Sequence, residues 1–247
     1  MYKLGLLGKN ISYSFSKNYF KEKFKNENIT DVSYENFDID TILKFPEIIK
    51  HTKGLKGLNV TIPYKEDVIP YLDKLNKKAK AIGAVNTIKR TKKGKLVGYN
   101  TDCYGFINAI KPSLKKHHKN ALILGTGGAS KAVIYTLKNK GITCHYVSRT
   151  ASKKVKYTYD DLNETIISNY QIIVNCTPLG TFPNIDDCPK IPYEGITKQH
   201  ILFDLIYNPE ETKFLRLGRQ KGAKTINGLH MLKLQAEKAW SIWNLLK

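Results

Sequence analysis

Cysteine is scarce in this chain. Cys103, Cys144, Cys176 and Cys188 are the only four among 247 residues, and none pairs in a C-x-x-C or other metal-ligand spacing. The thiols read as reduced ones in a reducing compartment. The histidines show no metal spacing either, so no metal is expected. No apolar run approaches the ~20 residues of a membrane span. The opening MYKLGLLGKN holds too short an apolar stretch for a signal peptide. These absences predict a cytoplasmic protein without a membrane partner. Arginine is also rare, with only Arg90, Arg149, Arg216 and Arg219 among 41 basic residues. The net charge of +20 would suit nucleic acid, but the lysines are spread over the whole chain and no recognition motif accompanies them. The densest run, Lys115-Lys116-His117-His118-Lys119, reads as a solvated loop. No nucleic-acid partner is expected.

What is present is a globular composition, 41% hydrophobic and 11% aromatic, in a chain long enough for two modest domains. The first part alternates strand and helix. Residues 2–8 form a short apolar strand, and 16–28 carry Phe20 and Phe24 four apart on a helical face. Residues 33–39 and 55–62 read as further strands. Asp40 would cap a helix through His51, kinked or begun at Pro46. A helix interrupted at Pro70 is expected from there to about Ile82, and residues 84–89 and 95–99 make a hairpin across a Lys-Lys-Gly turn.

A boundary is expected after Asp102. Beyond it come a linking helix over 103–111, stopped by Pro112, and apolar strands at 120–124, 143–148, 171–175, 201–207 and 223–226. A helix over 130–140 stops at Gly141. Strand, helix, strand in this order predicts a doubly wound parallel sheet of Rossmann type, giving a two-domain α/β protein. A last helix over 231–246 carries Leu232, Ala236, Ala239, Trp240 and Trp243 on or near one face.

The strand at 120–124 runs into Gly125-Thr126-Gly127-Gly128-Ala129-Ser130 and then a helix. Glycines in that setting permit a tight turn and let the backbone approach a pyrophosphate, while the helix end offers free N–H groups. A tight structural turn is the plainer alternative. No Gly-Lys-Ser/Thr follows, which argues against a Walker-type ATP site. At the end of the next strand an NAD site usually has an acid to hold the ribose hydroxyls. Here stand Ser148-Arg149-Thr150, with Lys153 one turn on, a set that suits a 2′-phosphate. NADP is favoured over NAD.

Four polar clusters occupy the first half. Ser12-Tyr13-Ser14-Phe15-Ser16 follows the first strand, and its alternate serines suit a polyol or carboxylate, or equally a helix cap with Ser16 at the N-cap. Asn59-Val60-Thr61-Ile62-Pro63-Tyr64-Lys65 puts a lysine where a strand must stop at proline. Gly83-Ala84-Val85-Asn86-Thr87 opens the hairpin and Asn100-Thr101-Asp102 closes it, so Asn86 and Asp102 are expected close together. A carboxylate near Lys65 would give an acid–base pair. Lys65 alone could equally be one more surface lysine, and each of the other three clusters alone also reads as a turn.

Taken together, these clusters resemble one family, shikimate dehydrogenase. The resemblance runs the length of the chain through SYSFS (12–16), NVTIPYK (59–65), GAVNT (83–87), NTD (100–102), GTGGAS (125–130), SRT (148–150), NCTPLG (175–180), FDLIYNP (203–209) and NGLHMLKLQA (227–236). It implies that Ser14 and Ser16 bind the shikimate carboxylate and that Asn59, Thr61, Asn86 and Gln235 surround the ring hydroxyls, with Tyr207 reaching the substrate. Lys65 and Asp102 would be the catalytic pair. Gly125, Gly127, Gly128 and Ala129 would hold the pyrophosphate of NADP, and Arg149, Thr150 and Lys153 its 2′-phosphate. Thr177 would lie along the cofactor, with Gly228 and Met231 beside the nicotinamide. Tyr13, Lys17, Ser148, Pro178 and Asn227 depart from the family's usual residues, and none of them is a proposed catalytic group.

The resemblance therefore implies NADPH-dependent reduction of 3-dehydroshikimate to shikimate, on the route to chorismate and the aromatic amino acids, by a monomer or homodimer. Residues 1–102 with 227–247 would form the substrate-binding and catalytic domain, 103–226 the NADP domain, with the cleft between them. Three rivals stand beside it. A quinate dehydrogenase using NAD is disfavoured by Arg149 and the missing strand-end acid. A methylene-tetrahydrofolate dehydrogenase is disfavoured by SYSFS and GLHMLKLQA. A non-catalytic sensor of the metabolite is disfavoured by the retention of Lys65 and Asp102.

Overall fold

The computed structural model describes residues 1–12 and 14–243. Tyr13 and the last residues of the expected C-terminal helix, from 244, lie outside the described residues. The chain divides into two compact units, Met1–Thr101 with the chain from Ala236 onward, and Asp102–Gln235.

The first unit is built on β1 (Tyr2–Gly8), α1 (Phe15–Asn26), β2 (Val32–Asp38), α2 (Phe45–His51), β3 (Leu55–Val60), β4 (Lys74–Leu75), α3 (Lys77–Ile82), β5 (Thr87–Arg90) and β6 (Leu96–Tyr99). Its mixed sheet runs in the order β2-β1-β3-β5-β6-β4. β1 pairs in parallel with β2 and with β3. Its apolar run LGLLG follows from burial on both faces. Leu7 enters one core with Phe45, Val60 and Ile88. Leu4 and Leu6 enter another with Phe20, Phe24 and Tyr34.

The local chemistry moves several expected boundaries. Ser14, not Ser16, is the N-cap of α1, its hydroxyl accepting from the Lys17 N–H at 3.3 Å. Asp40 caps nothing here. Thr41 caps a short 3₁₀ turn, Ile42–Lys44, and Pro46 sits in the first turn of α2. The helix expected from residue 63 is replaced by turns, a 3₁₀ turn at Ile69–Tyr71 and the two-residue β4. Pro63 and Pro70 each remove a donor, and the Asn76 side chain starts the helix only at Lys77 by accepting from the Ala79 N–H at 2.8 Å.

The second unit contains α4 (Asp102–Ile110), β7 (Asn120–Leu124), α5 (Gly128–Lys138), β8 (Thr143–Ser148), β9 (Val155–Thr158), α6 (Glu164–Ser168), β10 (Ile172–Asn175), β11 (Ile201–Asp204), α7 (Lys213–Gln220), β12 (Lys224–Ile226) and the first half of α8 (Leu229–Trp243). Its six strands are all parallel, in the order β12-β11-β10-β7-β8-β9. The order reverses between β7 and β10, as a doubly wound sheet requires. The central strands β7, β10 and β11 are buried nearly throughout, from Leu122 and Ile123 to Ile172, Ile173 and Phe203. α5 starts at Gly128, two residues earlier than its sequence pattern indicated.

The second half of α8 returns to the first unit. Ala236, Ala239 and Trp243 are buried with Phe20 and Tyr34. The Trp243 Nε1–H donates to the Ile88 carbonyl at 2.9 Å. A methyl at Gly57 would lie 2.1 Å from that nitrogen, so the sheet admits the indole only because position 57 has no side chain. Trp243→Ala should cost about 3–5 kcal/mol, as large-to-small core changes do. Trp243→Phe keeps most of the packing and should cost about 1–2 kcal/mol through the lost hydrogen bond. Urea unfolding measures both, and an unchanged midpoint in either variant would contradict this packing.

Candidate active site

In the first unit three of the candidate substrate residues, Ser16, Asn59 and Asn86, are joined by one buried hydrogen-bond chain. The Tyr34 hydroxyl donates to Asn59 Oδ1 at 2.8 Å. Asn59 Nδ2 donates to Thr87 Oγ1 at 3.2 Å, and Thr87 Oγ1 donates to Asn86 Oδ1 at 3.1 Å. Asn86 Oδ1 also accepts the Thr101 N–H at 2.7 Å, while Asn86 Nδ2 donates to Thr101 Oγ1 at 3.0 Å. A backbone N–H can only donate, so this contact fixes which end of the Asn86 amide is oxygen. Asn59, Asn86, Thr87 and Thr101 are all buried. Burial pushes the Tyr34 phenol far up, and a hydrogen bond with Ser16 opposes that rise. Ser16, Asn59 and Asn86 thus come together through Tyr34, Thr87 and Thr101.

Lys65 is tied to the same region by its backbone, because the Val85 N–H donates to its carbonyl at 2.7 Å. Thr61 is half-buried beside it in the chain and donates its N–H to the Leu7 carbonyl at 2.9 Å. Asp102 follows Thr101 directly and is buried as the first residue of α4. Ser14 is half-buried at the α1 cap.

In the second unit the candidate residues gather at the carboxyl ends of the parallel strands. Leu124 of β7 is in register with Val147 of β8 and with Asn175 of β10, and Asn175 with Asp204 of β11. Gly125 leaves β7 with φ +98°, a left-handed conformation suited to glycine. Gly127 is the N-cap of α5, no side chain caps that helix, and a methyl at Gly127 would meet nothing within 4 Å. Gly128 and Ala129, both half-buried, form its first turn. The Ser130 hydroxyl folds back onto the Gly127 carbonyl at 2.6 Å. The first N–H groups of α5 therefore face an uncrowded turn, as an anion such as pyrophosphate needs. Arg149, Thr150 and Lys153 are exposed beyond β8.

Thr177 is held by Asn175 Oδ1, which accepts its N–H at 3.0 Å and its hydroxyl at 2.7 Å. Asn175 Nδ2 in turn donates to Asp204 Oδ1 at 3.1 Å. Tyr207 follows β11, and partial burial raises its phenol pKa. Gln235 and Met231 are buried on α8, Met231 within the core that holds Phe106 and Phe203. Gly228 is a point of close approach, since a methyl there would lie 2.1 Å from the Leu205 carbonyl oxygen.

Sequence patterns did not single out Tyr34, Thr87, Thr101, Asn175 or Asp204. The available signal was an acid closing an apolar strand, ILFD, and amide or hydroxyl side chains at the ends of others. Among the described residues no group of three or more His, Cys, Asp or Glu side chains could hold a metal.

A parallel sheet of this order, with a glycine turn and an uncapped helix end at its switch point, defines the dinucleotide-binding α/β class. Residues 6–88 match the family model described as the shikimate dehydrogenase substrate binding domain. A shikimate dehydrogenase (NADP(+)) of Methanococcus aeolicus is 38% identical over 99% of this chain and 92% of its own length. One from Clostridium beijerinckii is 41% identical over 97% of this chain and 90% of its own. A shikimate 5-dehydrogenase of Thermus thermophilus, crystallised with NADP(H) and shikimate, matches with TM-score 0.87 at 29% identity over 100% of this chain and 94% of that one. The chain belongs to the shikimate dehydrogenase family.

Asp204 supplies a pH test of the second unit. Burial raises its carboxyl to about 6, against the pull of hydrogen bonds from Thr212, the Ile206 N–H and Asn175. A carboxyl raised in the folded state adds stability below its unfolded pKa and loses it as pH rises through the folded value. The window is about pH 4 to 6, and the loss is roughly 3 kcal/mol. Asp204→Asn should therefore destabilise the protein by roughly 2 kcal/mol more at pH 4 than at pH 7. A variant whose deficit is the same at both values in urea titrations would contradict the buried carboxyl.

Proposed function

We propose that this chain catalyses the reversible NADPH-dependent reduction of 3-dehydroshikimate to shikimate, a step towards chorismate and the aromatic amino acids. One observation carries the reading. The backbone bond from Val85 to Lys65 and the side-chain clamp from Asn86 to Thr101 belong to one stretch of the first unit, so the strand-end lysine and the residue preceding Asp102 are tied to two adjacent residues, Val85 and Asn86. That is the local order an acid–base pair needs.

Residues 1–102 with 227–247 serve substrate and catalysis, and 103–226 serve NADP. Ser14 and Ser16 take the substrate carboxylate, and Asn59, Thr61, Asn86, Gln235 and Tyr207 take its oxygens. The buried chain through Tyr34 and Thr87 supports this, because it holds Asn59 and Asn86 in fixed orientations before any ligand arrives. The α5 turn with Gly125, Gly127, Gly128 and Ala129 fits a pyrophosphate, and Arg149, Thr150 and Lys153 fit a 2′-phosphate, as would suit NADP. Thr177 runs along the cofactor, with Gly228 and Met231 beside its nicotinamide. Four cysteines at no disulfide-framework or metal spacing support a reducing, cytoplasmic setting. Among the described residues no helix is long and apolar enough to cross a membrane.

When bound, the reduced nicotinamide supplies a hydride to the ketone carbon. The chain's own task is the oxygen. Lys65 stabilises the alkoxide that develops there, and with Asp102 it delivers the proton that completes the hydroxyl. In oxidation the same pair removes that proton. Ser14 and Ser16 anchor the far side of the ring, and the asparagines fix its rotation.

Lys65→Ala should lower kcat for shikimate oxidation by about 10²–10⁴-fold, the usual worth of a positioned acid or base, with KM little changed. Normal turnover in that variant would remove the assigned role. Arg149→Ala should raise KM for NADP⁺ about tenfold or more, the scale of a lost charge-assisted contact, and leave KM for NAD⁺ unmoved. Equal effects on the two nucleotides would rule out phosphate recognition by Arg149.

A further inference from the structure

The loop between β1 and α1 leads to Ser14 and Ser16 of the candidate substrate site, and two side chains of the edge strand β2 hold its residues Asn10 and Ile11. Asp38 accepts two consecutive backbone N–H groups, Asn10 at 2.8 Å on Oδ1 and Ile11 at 3.0 Å on Oδ2. Asn36 Nδ2 donates to the Ile11 carbonyl at 2.9 Å. Asn36 and Asp38 stand two apart on one strand, so their side chains share a face. Asn10 is turned to φ +56°, a conformation that non-glycine residues seldom adopt. The loop's start is fixed as well, since the Ile39 N–H donates to the Gly8 carbonyl at 2.9 Å.

We propose that Asp38 and Asn36 are positioning residues for substrate, holding the loop so that Ser14 and Ser16 are set for a carboxylate before it binds. The proposal rests on the reading of those serines given above. Each loop residue ordered on binding would otherwise weaken affinity, and a loop ordered beforehand avoids that loss. Charge alone predicts the opposite sign. Asp38 is an anion near a site for an anion, so removing its charge should help binding. Geometry predicts harm, because the amide of asparagine would set a donor against one of the two N–H groups. Asn36 adds a second sign of the same demand. Its Oδ1 is buried with no hydrogen-bond partner among the described residues, while its Nδ2 is committed to the loop.

The test is steady-state kinetics of the whole chain with shikimate and NADP⁺, for wild type, Asp38→Asn, Asn36→Leu and Ser14→Gly, beside the thermal midpoint of each. Glycine is chosen at 14 because it still caps α1. Asp38→Asn and Asn36→Leu should each raise KM for shikimate roughly five- to tenfold, the scale of one or two lost hydrogen bonds, with kcat and KM for NADP⁺ unchanged. A general loss of fold would move all three parameters and the midpoint together, and that result would overturn the proposal in favour of a structural role. A KM for shikimate that stays level or falls in Asp38→Asn would overturn it too. If Ser14→Gly raises KM while Asp38→Asn does not, the serine assignment stands and the positioning role fails. If neither changes it, the serine assignment fails and takes the proposal with it.

Discussion

Asn86 is 3% exposed, and a carboxamide that deep needs partners at both ends. Its oxygen takes the Thr101 N–H and the Thr87 hydroxyl, and its nitrogen takes Thr101 Oγ1. Its backbone is equally committed, receiving from the Val60 N–H at 2.9 Å and donating to the Tyr99 carbonyl at 3.1 Å. One residue therefore joins β3, β5 and β6 and the chain leading to Asp102. Because every link in a buried network is electrostatically strong and every broken link is costly, the set tolerates few alternative arrangements. Asn59, Tyr34 and Ser16 inherit their orientations from it.

The second unit solves a similar problem with a charge. Asp204 is fully buried at the end of β11 and takes Asn175, the Ile206 N–H and Thr212. Asn175, so oriented, presents its oxygen to Thr177. In both units a buried polar side chain at a strand end arranges the loop residues that follow it. Rigid strands carry the fixed partner, and the loops carry the groups that meet ligands. The excess of lysine is diffuse by comparison. Its effect is a field that favours anions, and both ligands of the proposed reaction are anions.

Much of this was legible in the sequence where one physical effect dominates. The strands at β1, β7 and β10 stand out because burial on both faces makes them apolar runs. The glycine turn stands out because its strand-to-helix setting leaves few other uses. The segment from 63 to 82 did not, because Ala79 and Ile82 lie on a helical face whose pattern runs on back through two prolines. The Asn76 cap, a single side-chain contact, sets the start. β9, the four residues VKYT, and the short α6 and α7 carry signals too weak for sequence pattern alone. Partnerships were the least legible feature. Asn59, Asn86 and Asp102 were recognised through family motifs, but Tyr34 and Asp204 act through contacts with residues 25 and 29 positions away. Single-sequence periodicity carries no record of such distances.

Initial rates of nucleotide reduction test the proposed chemistry most directly. Shikimate and quinate would each be offered with NADP⁺ and with NAD⁺, at matched concentrations. Fast turnover with shikimate and NADP⁺, and slow turnover with the other three pairs, is the result expected from Lys65, Asp102 and Arg149 in their assigned roles. Measurable shikimate binding with no turnover in any pair would contradict it, and would make the chain a sensor built on an enzyme's fold.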